Sequence, residues 1–243
     1  MSAHSEYPPS SVERWLNCPV SLKRIRAMMG LRPLIPPEGK DAVFDSNPWA
    51  DAGTWKHGIV SWRLAGRKYS ENGTAAFRDE LEPYMRHCRN LINSGARYWI
   101  EGRWYFDYLL PAGSAPAFGT ADFVAYFPEV NALEIVDAKF GQRVISAYKN
   151  RQMGTYALAV KHSLRLDNPT VTTTIVQPRA PEPVTAYTWE RDELAMLELA
   201  IATAAANPDT AKAGKWCEFC PVKANCLEYS VYECEEMGFR PVD

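Results

Sequence analysis

A chain of 243 residues with 47% hydrophobic and 23% charged residues has an ordinary globular composition, which excludes intrinsic disorder and allows one sizeable core. The net charge of −2 excludes a broadly basic surface, so any contact with nucleic acid must be local. No apolar run reaches the roughly 18 residues of a membrane span, and the N-terminal sequence lacks a signal-peptide pattern. We therefore expect a cytoplasmic protein with no membrane partner.

The N-terminal segment predicts two short helices. Ser10 and Glu13 have the spacing of a capping box, which is typical of a helix N-terminus. This first helix should end near Cys18, where Pro19 can begin the next one.

A proline-rich segment and two longer helices are expected next. Residues 30–47 read as a loop, and Asn47 should cap a helix that runs to about Arg63. A further helix is predicted over residues 75–93, with a bend or break at Pro83, because proline lacks the N–H that the helix would bond.

The second half alternates strands with helices, which predicts an α/β fold with a mixed central sheet flanked by helices. Residues 97–110 and 119–141 should form three strands in an antiparallel meander. The elements expected after it are a helix at 147–161, strands at 170–177 and 184–189, and a helix at 193–206.

Two aspartates stand on consecutive strands of this meander. Side chains alternate across a strand, so Asp137 and Lys139 continue the face that carries Leu133 and Ile135. Hairpin pairing should bring Asp122 close to Asp137, and two such carboxylates need a cation between them. Oxygen ligands suit Mg²⁺ or Mn²⁺. The alternative is a surface ion pair between Asp137 and Lys139, with Asp122 capping the turn.

Four short motifs occur in the order of a known family. Residues 119–122 (GTAD) and 137–141 (DAKFG) resemble the G-x-x-D and D-x-K-x-G signature of RecB-like members of the PD-(D/E)XK nuclease superfamily. Gln152 and Tyr156 resemble that family's Q-x-x-x-Y motif. The sequence GTWKH, which ends at His57, resembles its G-x-x-x-H helix.

The resemblance implies a restriction-endonuclease-like core and a metal-dependent DNA exonuclease that acts on single-stranded ends. The resemblance suits a role in phage or bacterial recombination, replication or repair, in a bacterial cell or a phage host. A strand-annealing protein is a partner that this context would allow. Ring-forming relatives also allow an oligomer. Glu101, in the aromatic strand, could reach the site but matches no motif. The implied roles are catalysis by Asp122, Asp137, Lys139, Gln152 and Tyr156, and Mg²⁺ or Mn²⁺ binding by His57, Asp122 and Asp137.

Three basic residues near the helix that bears Gln152 are candidates for DNA contact. They are Arg143, Lys149 and Arg151, which alternatively are ordinary solvated charges. Two further readings of the whole chain stay open at this point. One is a nuclease-like DNA-binding or assembly module without significant catalysis, and the other is a zinc-stapled scaffold.

The cysteines indicate a metal centre, because a reducing compartment disfavours disulfides. Cys217, Cys220 and Cys226 form a C-x₂-C-x₅-C cluster and need a fourth ligand. Cys18 completes a pattern that resembles iron-sulfur nucleases of the RecB-like group, which include CRISPR-associated exonucleases and AddB-type subunits. That resemblance implies a [4Fe-4S] cluster joining the chain ends, whereas thiolate chemistry alone equally allows Zn²⁺.

The remaining cysteines and the domain plan complete the predictions. Cys234 is a substitute fourth ligand, and Cys88 is expected to be a packed or free thiol. We expect one nuclease domain over residues 1–243, with its catalytic core in residues 47–190. Residues 1–30 and 207–243 should together form the cysteine-cluster region.

Overall fold

A mixed β-sheet forms the centre of the protein. The structure is a computed structural model that describes residues 5–30, 48–67 and 78–239, without the side chains of 48–51. Within those residues the sheet has five strands in the order β1-β2-β3-β4-β5. Neighbouring strands are antiparallel except β3 and β4, which are parallel because a helix connects them. The strands are β1 (Arg97–Tyr105), β2 (Phe118–Phe127), β3 (Ala132–Ala138), β4 (Thr170–Val176) and β5 (Val184–Trp189).

Helices cover both faces of this sheet, so the predicted mixed sheet flanked by helices and its antiparallel meander are confirmed. None of the described helices is long and apolar enough to cross a membrane. The helices are α1 (Val12–Asn17), α2 (Val20–Gly30), α3 (Pro48–Leu64), α4 (Arg78–Asn93), α5 (Arg151–Ser163), α6 (Arg191–Ala206) and α7 (Leu227–Glu236).

The two faces of the sheet have separate hydrophobic cores. On one face, α1, α5 and α6 pack over strand residues such as Leu133 and Ile135. On the other face, α3 and α4 pack over Phe123 and Val136. The alternation of side chains along β3 thus assigns Asp137 to the α5 side and Phe140 to the α3 side.

Two predicted helix features are wrong. The capping box at Ser10 and Glu13 does not form: a 3₁₀ turn over Pro9–Ser11 precedes α1, and Ser11 makes no side-chain cap. Trp15 instead anchors the helix start, since its Nε1 donates to the Pro8 carbonyl at 3.0 Å.

The second wrong feature is the break that was one of two alternatives at Pro83, because α4 runs through that residue, whereas a bend there stays a prediction. The proline removes one helical hydrogen bond. Burial of the neighbouring Tyr84, Met85 and Cys88 against the sheet keeps the helix continuous.

Other element boundaries shift by a few residues. β1 ends at Tyr105 rather than 110, because a 3₁₀ turn over Asp107–Leu109 takes the chain out of the sheet. α5 begins after 150 rather than at 147, since the Asn150 side chain accepts the amide of Met153 and caps the helix. The loop predicted at 30–47, the Asn47 cap and the helix start at 75 lie largely or wholly outside the described residues.

Candidate active site

Asp122 lies where β2 and β3 stop pairing. Their register ends at the Phe123–Val136 pair, so the next amide of β3 has no strand partner on that side. The Ala138 amide donates instead to Oδ2 of Asp122 at 2.8 Å. The carboxylate therefore replaces a backbone acceptor, which fixes its position at the strand end.

Glu101 stands beside Asp122 because β1 is irregular at that point. Its φ is +51°, and it falls between the register pairs Ile100–Phe123 and Gly102–Ala121. Ser61, one turn after His57 on α3, donates its hydroxyl to Oε1 of Glu101 at 2.8 Å. The strand irregularity and this hydrogen bond together orient a carboxylate that no sequence motif marks.

His57 completes a cluster of three potential metal ligands. Its Nδ1 lies 3.2 Å from Oδ2 of Asp122, and its ring packs edge-on against Phe140 with centroids 5.2 Å apart. Among the described residues, His57, Glu101 and Asp122 each offer a ligand atom within 4.8 Å of the others. This set differs from the predicted one, because it contains Glu101 and does not contain Asp137.

Asp137 and Lys139 form an ion pair on the α5 side of the same strand end. Lys139 Nζ lies 2.7 Å from Oδ2 of Asp137, and the Asp137 side chain is 6% exposed. Asp137 is thus buried and Lys139 partly buried, unlike the surface pair considered above, and Asp122 accepts a strand amide instead of capping a turn. Oδ2 of Asp137 is buried, and among the described residues its charge partner is the Lys139 ammonium group.

Carboxylates outnumber basic groups at this strand end, so its net charge is negative. Burial and the charge of Asp122 raise the pKa of Asp137, against the lowering effect of Lys139. Lost hydration around its carboxyl group, followed by the charge of Asp122, likewise raises the pKa of Glu101. Burial lowers the pKa of His57, but its bond to Asp122 and the surrounding carboxylates outweigh burial and raise it. These groups would be stabilised by an added divalent cation.

Gln152 and Tyr156 approach the site from α5. Gln152 Nε2 donates to the Tyr156 hydroxyl at 3.3 Å, and Tyr156 is buried. Tyr156 also explains the glycine of the GTAD motif: a Cβ atom at Gly119 would lie 2.5 Å from the Tyr156 ring and 2.6 Å from Pro9. Only glycine lets the helix and the N-terminal segment come this close to β2.

Gly119→Ala should therefore destabilise the protein by about 1–3 kcal/mol, because a packed ring and a proline must move. Thermal unfolding would measure the loss as a lower melting temperature. Gly141→Ala is the matched control, since a Cβ atom there meets no atom within 4 Å. Equal melting temperatures for both variants would contradict the close packing at Gly119.

The three predicted DNA-contact residues line one groove next to this site. The groove has a volume of about 560 Å³, and Lys139 and Gln152 also line it. Arg143 and Lys149 come from the loop after β3, and Arg151 is the first residue of α5.

Gln177, at the end of β4, holds the loop after β3. It is 2% exposed, and its Nε2 donates to the carbonyls of Gly141 and Arg143 at 3.0 and 2.6 Å. Its Oε1 accepts the Ile145 amide at 3.0 Å. These three bonds fix the loop that carries Arg143.

The four predicted cluster cysteines line a single cavity between the N- and C-terminal segments. Successive tight turns hold the last three, with the Cys220 amide bonded to the Cys217 carbonyl at 3.0 Å. Arg24 of α2 donates to Cys226 Sγ at 3.3 Å and forms a two-bond ion pair with Glu228. Basic surroundings favour thiolates and anionic clusters. Besides the Arg24–Glu228 pair, the charged residues that line the cavity are Arg14, Lys212 and Lys223.

Four cysteine thiolates are the donor set of a [4Fe-4S] cluster and equally of a tetrahedral zinc ion. Cys234 is exposed on α7 and does not line the cavity, whereas Cys88 is buried in the α3–α4 core, as expected for a packed thiol.

Fold and site define a mixed α/β protein with an acidic cluster and a lysine at the end of its central hairpin. The chain belongs to the DUF2800 family, whose model, described as a protein of unknown function, matches residues 4–240. No curated protein sequence matches the chain significantly.

The solved structures to which this chain is similar include three distant ones. The crystal structure of SSO0001 is 11% identical, covers 94% of this chain and 89% of its own, and has a TM-score of 0.48. An alkaline exonuclease (LHK-Exo) from Laribacter hongkongensis is 15% identical to this chain. The match covers 65% of this chain and 80% of the exonuclease, with a TM-score of 0.32. The complex of LHK-Exo with dAMP is 14% identical to this chain. The match covers 76% of this chain and 86% of that one, with a TM-score of 0.32. At such low TM-scores, function must be argued from the site's own residues.

Proposed function

We propose that this protein is a divalent-metal-dependent DNA nuclease with a restriction-endonuclease-like core, and that it acts as an exonuclease on single-stranded ends. The observation that carries the proposal is the meeting of His57, Glu101, Asp122 and the Asp137–Lys139 pair at one strand end. The carboxylates outnumber the one ammonium group beside them, and carboxylate oxygens are the ligands that hard divalent cations prefer. The adjoining basic groove can bring a phosphate backbone to it.

In this proposal His57, Glu101 and Asp122 hold Mg²⁺ or Mn²⁺, and the Asp137 carboxylate, paired with Lys139, contributes from the opposite side. The metal would supply Lewis-acid polarisation of the phosphoryl group and acidify a water molecule.

The chain's own residues act around that metal site. Lys139 places its ammonium group beside Asp137, where it can orient the attacking water and offset charge on the phosphoryl oxygens. Gln152, which lines the groove, contacts the DNA backbone, and the buried Tyr156 supports the strand end from α5.

The cysteine-lined cavity has a structural role in this proposal. Cys18, Cys217, Cys220 and Cys226 would hold a [4Fe-4S] cluster, whose negative charge suits the mostly basic charged residues that line the cavity. Residues 1–30 and 207–243 would then form one cluster region around a catalytic core in residues 47–190. Closing so long a loop through metal bonds restricts the unfolded chain and stabilises the fold.

Metal-dependent digestion of DNA ends tests the proposed function. Linear single-stranded DNA should be degraded with Mg²⁺ or Mn²⁺ and left intact in EDTA, because the acidic cluster cannot act without its cation. Circular single-stranded DNA should survive, and release of nucleotides measures both reactions. Digestion of the circle would overturn the exonuclease assignment. Folded protein that digests neither substrate with either metal, or that ignores EDTA, would contradict the nuclease itself.

A further inference from the structure

The groove beside the candidate active site has two walls that come from distant parts of the chain. One wall is the loop 143–150 with the start of α5, and the other is the segment 215–219, which contains Cys217. The N-terminal residues 9–14 also line the groove, as do Lys139 and Gln152 of the candidate active site. A strand bound in the groove therefore lies beside the strand end that carries the acidic cluster.

Each wall presents an aromatic ring to solvent. Tyr148 is 65% exposed and Phe219 is 74% exposed, although large aromatic side chains are usually well buried. Tyr148 packs edge-on against Tyr187 at 5.0 Å, a contact that steadies the ring while leaving it largely exposed. Exposed aromatic rings that are held in place commonly mark binding surfaces.

A cation accompanies each ring. The Arg143 guanidinium lies 5.3 Å from the Phe219 ring centroid, and Lys149 Nζ lies 5.5 Å from that of Tyr148. Pairs of a flat apolar face and a positive charge match the two parts of a nucleotide, since the base stacks and the phosphate is neutralised.

The groove is basic on a protein whose net charge is −2. The ion pairs Arg143–Glu218 at 2.9 Å and Arg151–Glu13 at 3.3 Å are largely exposed, so they are weak and a phosphate can replace the acid. Lys149 is paired with Glu193 at 2.7 Å, and its side chain is half-exposed, so its ammonium group can contact a phosphate as well. Positive side chains outnumber negative ones along the lining. The positive ones are Arg14, Lys139, Arg143, Lys149, Arg151 and Lys215, and the negative ones are Glu13 and Glu218.

We infer that this groove binds an unpaired DNA strand, with bases stacked on Tyr148 and Phe219 and phosphates held by Arg143 and Lys149. A duplex keeps its base faces stacked on each other, so only an unpaired strand can use these rings. The inference rests on the proposed function, because it names the path by which the substrate end reaches Lys139. It also gives the cysteine-bearing segment a direct part in substrate binding through Phe219.

Binding measured in EDTA tests this inference without hydrolysis. The probe is a fluorescent oligothymidylate of about 16 nucleotides, and an abasic strand of equal length retains the phosphates but lacks the bases. Tyr148→Ala and Phe219→Ala should each weaken oligothymidylate binding by about fivefold to 100-fold, while binding of the abasic strand stays unchanged. Tyr148→Phe should bind like the wild type. Phe239→Ala removes an exposed ring that does not line the groove and should also have no effect.

The outcomes separate this inference from the proposed nuclease activity. Alanine variants that bind normally, or that lose affinity equally for the abasic strand, would overturn the stacking. If binding depends on the two rings but wild-type protein does not hydrolyse DNA with Mg²⁺ or Mn²⁺, the groove stands and the nuclease proposal fails. If DNA is hydrolysed and the rings have no effect on binding, the nuclease stands and this inference fails.

Discussion

Lys139→Ala should lower the rate of DNA hydrolysis by at least about 100-fold, with binding of single-stranded DNA changed only a few-fold. Lys139 supplies the one ammonium group within ion-pair distance of Asp137 among the described residues, and a buried, preorganised charge is worth several kcal/mol to a phosphoryl transition state. Asp122→Asn should reduce the rate at least as much, because it removes a negative ligand from the cluster. Nucleotide release with Mn²⁺ and binding in EDTA measure the two effects separately.

The choice of substitution at Asp122 matters, because its carboxylate accepts the Ala138 amide where β2 and β3 stop pairing. Asparagine keeps an oxygen that can accept the Ala138 amide, whereas alanine leaves that amide without its partner at a further cost of about 1–3 kcal/mol. Melting temperatures of both variants would separate lost chemistry from lost stability. Lys161→Ala is the matched lysine control, since Lys161 lies in the last turn of α5, away from the groove. Equal digestion by Lys139→Ala and wild type would show that the catalytic assignment is wrong.

Cys217→Ser should lower the melting temperature by at least about 10 °C and release the metal. Structural metal sites contribute on the order of 10 kcal/mol to folding, and a loss of even a third of that shifts a domain of this size by roughly 10 °C. Cys217 is buried in the cavity between the two chain ends, so the contacts of α1 and α2 should loosen with it. Thermal unfolding with metal analysis before and after substitution measures both changes.

Cys234→Ser is the matched control, because Cys234 is exposed and lies outside the cavity, so its melting temperature should stay within about 2 °C of wild type. Anaerobically purified wild-type protein should be brown and contain iron and sulfide. A colourless protein with stoichiometric zinc would overturn the iron-sulfur assignment and leave a zinc staple. A Cys217→Ser variant with unchanged metal content and stability would remove the structural role altogether.

The central hairpin of the candidate site was predictable because strand alternation and hairpin register are strict. Those two rules bring Asp122 to the end of the strand that carries Asp137 and Lys139. Glu101 was only a weak candidate, since it reaches His57 through a left-handed residue in β1 that interrupts the regular alternation. The predicted metal set included Asp137, which Lys139 holds outside the group of closest ligand atoms.

Features that depend on tertiary packing could not be predicted from the sequence. The capping box predicted at Ser10 does not form, because Trp15 anchors the helix start on Pro8. Helix α4 continues through Pro83 because the neighbouring residues are buried. Phe219 could not be linked to Tyr148 in advance, because only the folded chain brings those two segments to one groove. Local patterns predict elements, whereas the contacts between distant segments decide these details.

The contacts of α2 with the C-terminal segment also order events during synthesis on the ribosome. The Val20 amide bonds the Thr210 carbonyl, and Arg24 pairs with Glu228, so α2 meets these partners only after about 190 further residues are made. At roughly 5–20 residues per second, that delay is about 10–40 s. The thiol of Cys18, which is buried in the folded protein, is therefore without its C-terminal neighbours for this interval in the nascent chain.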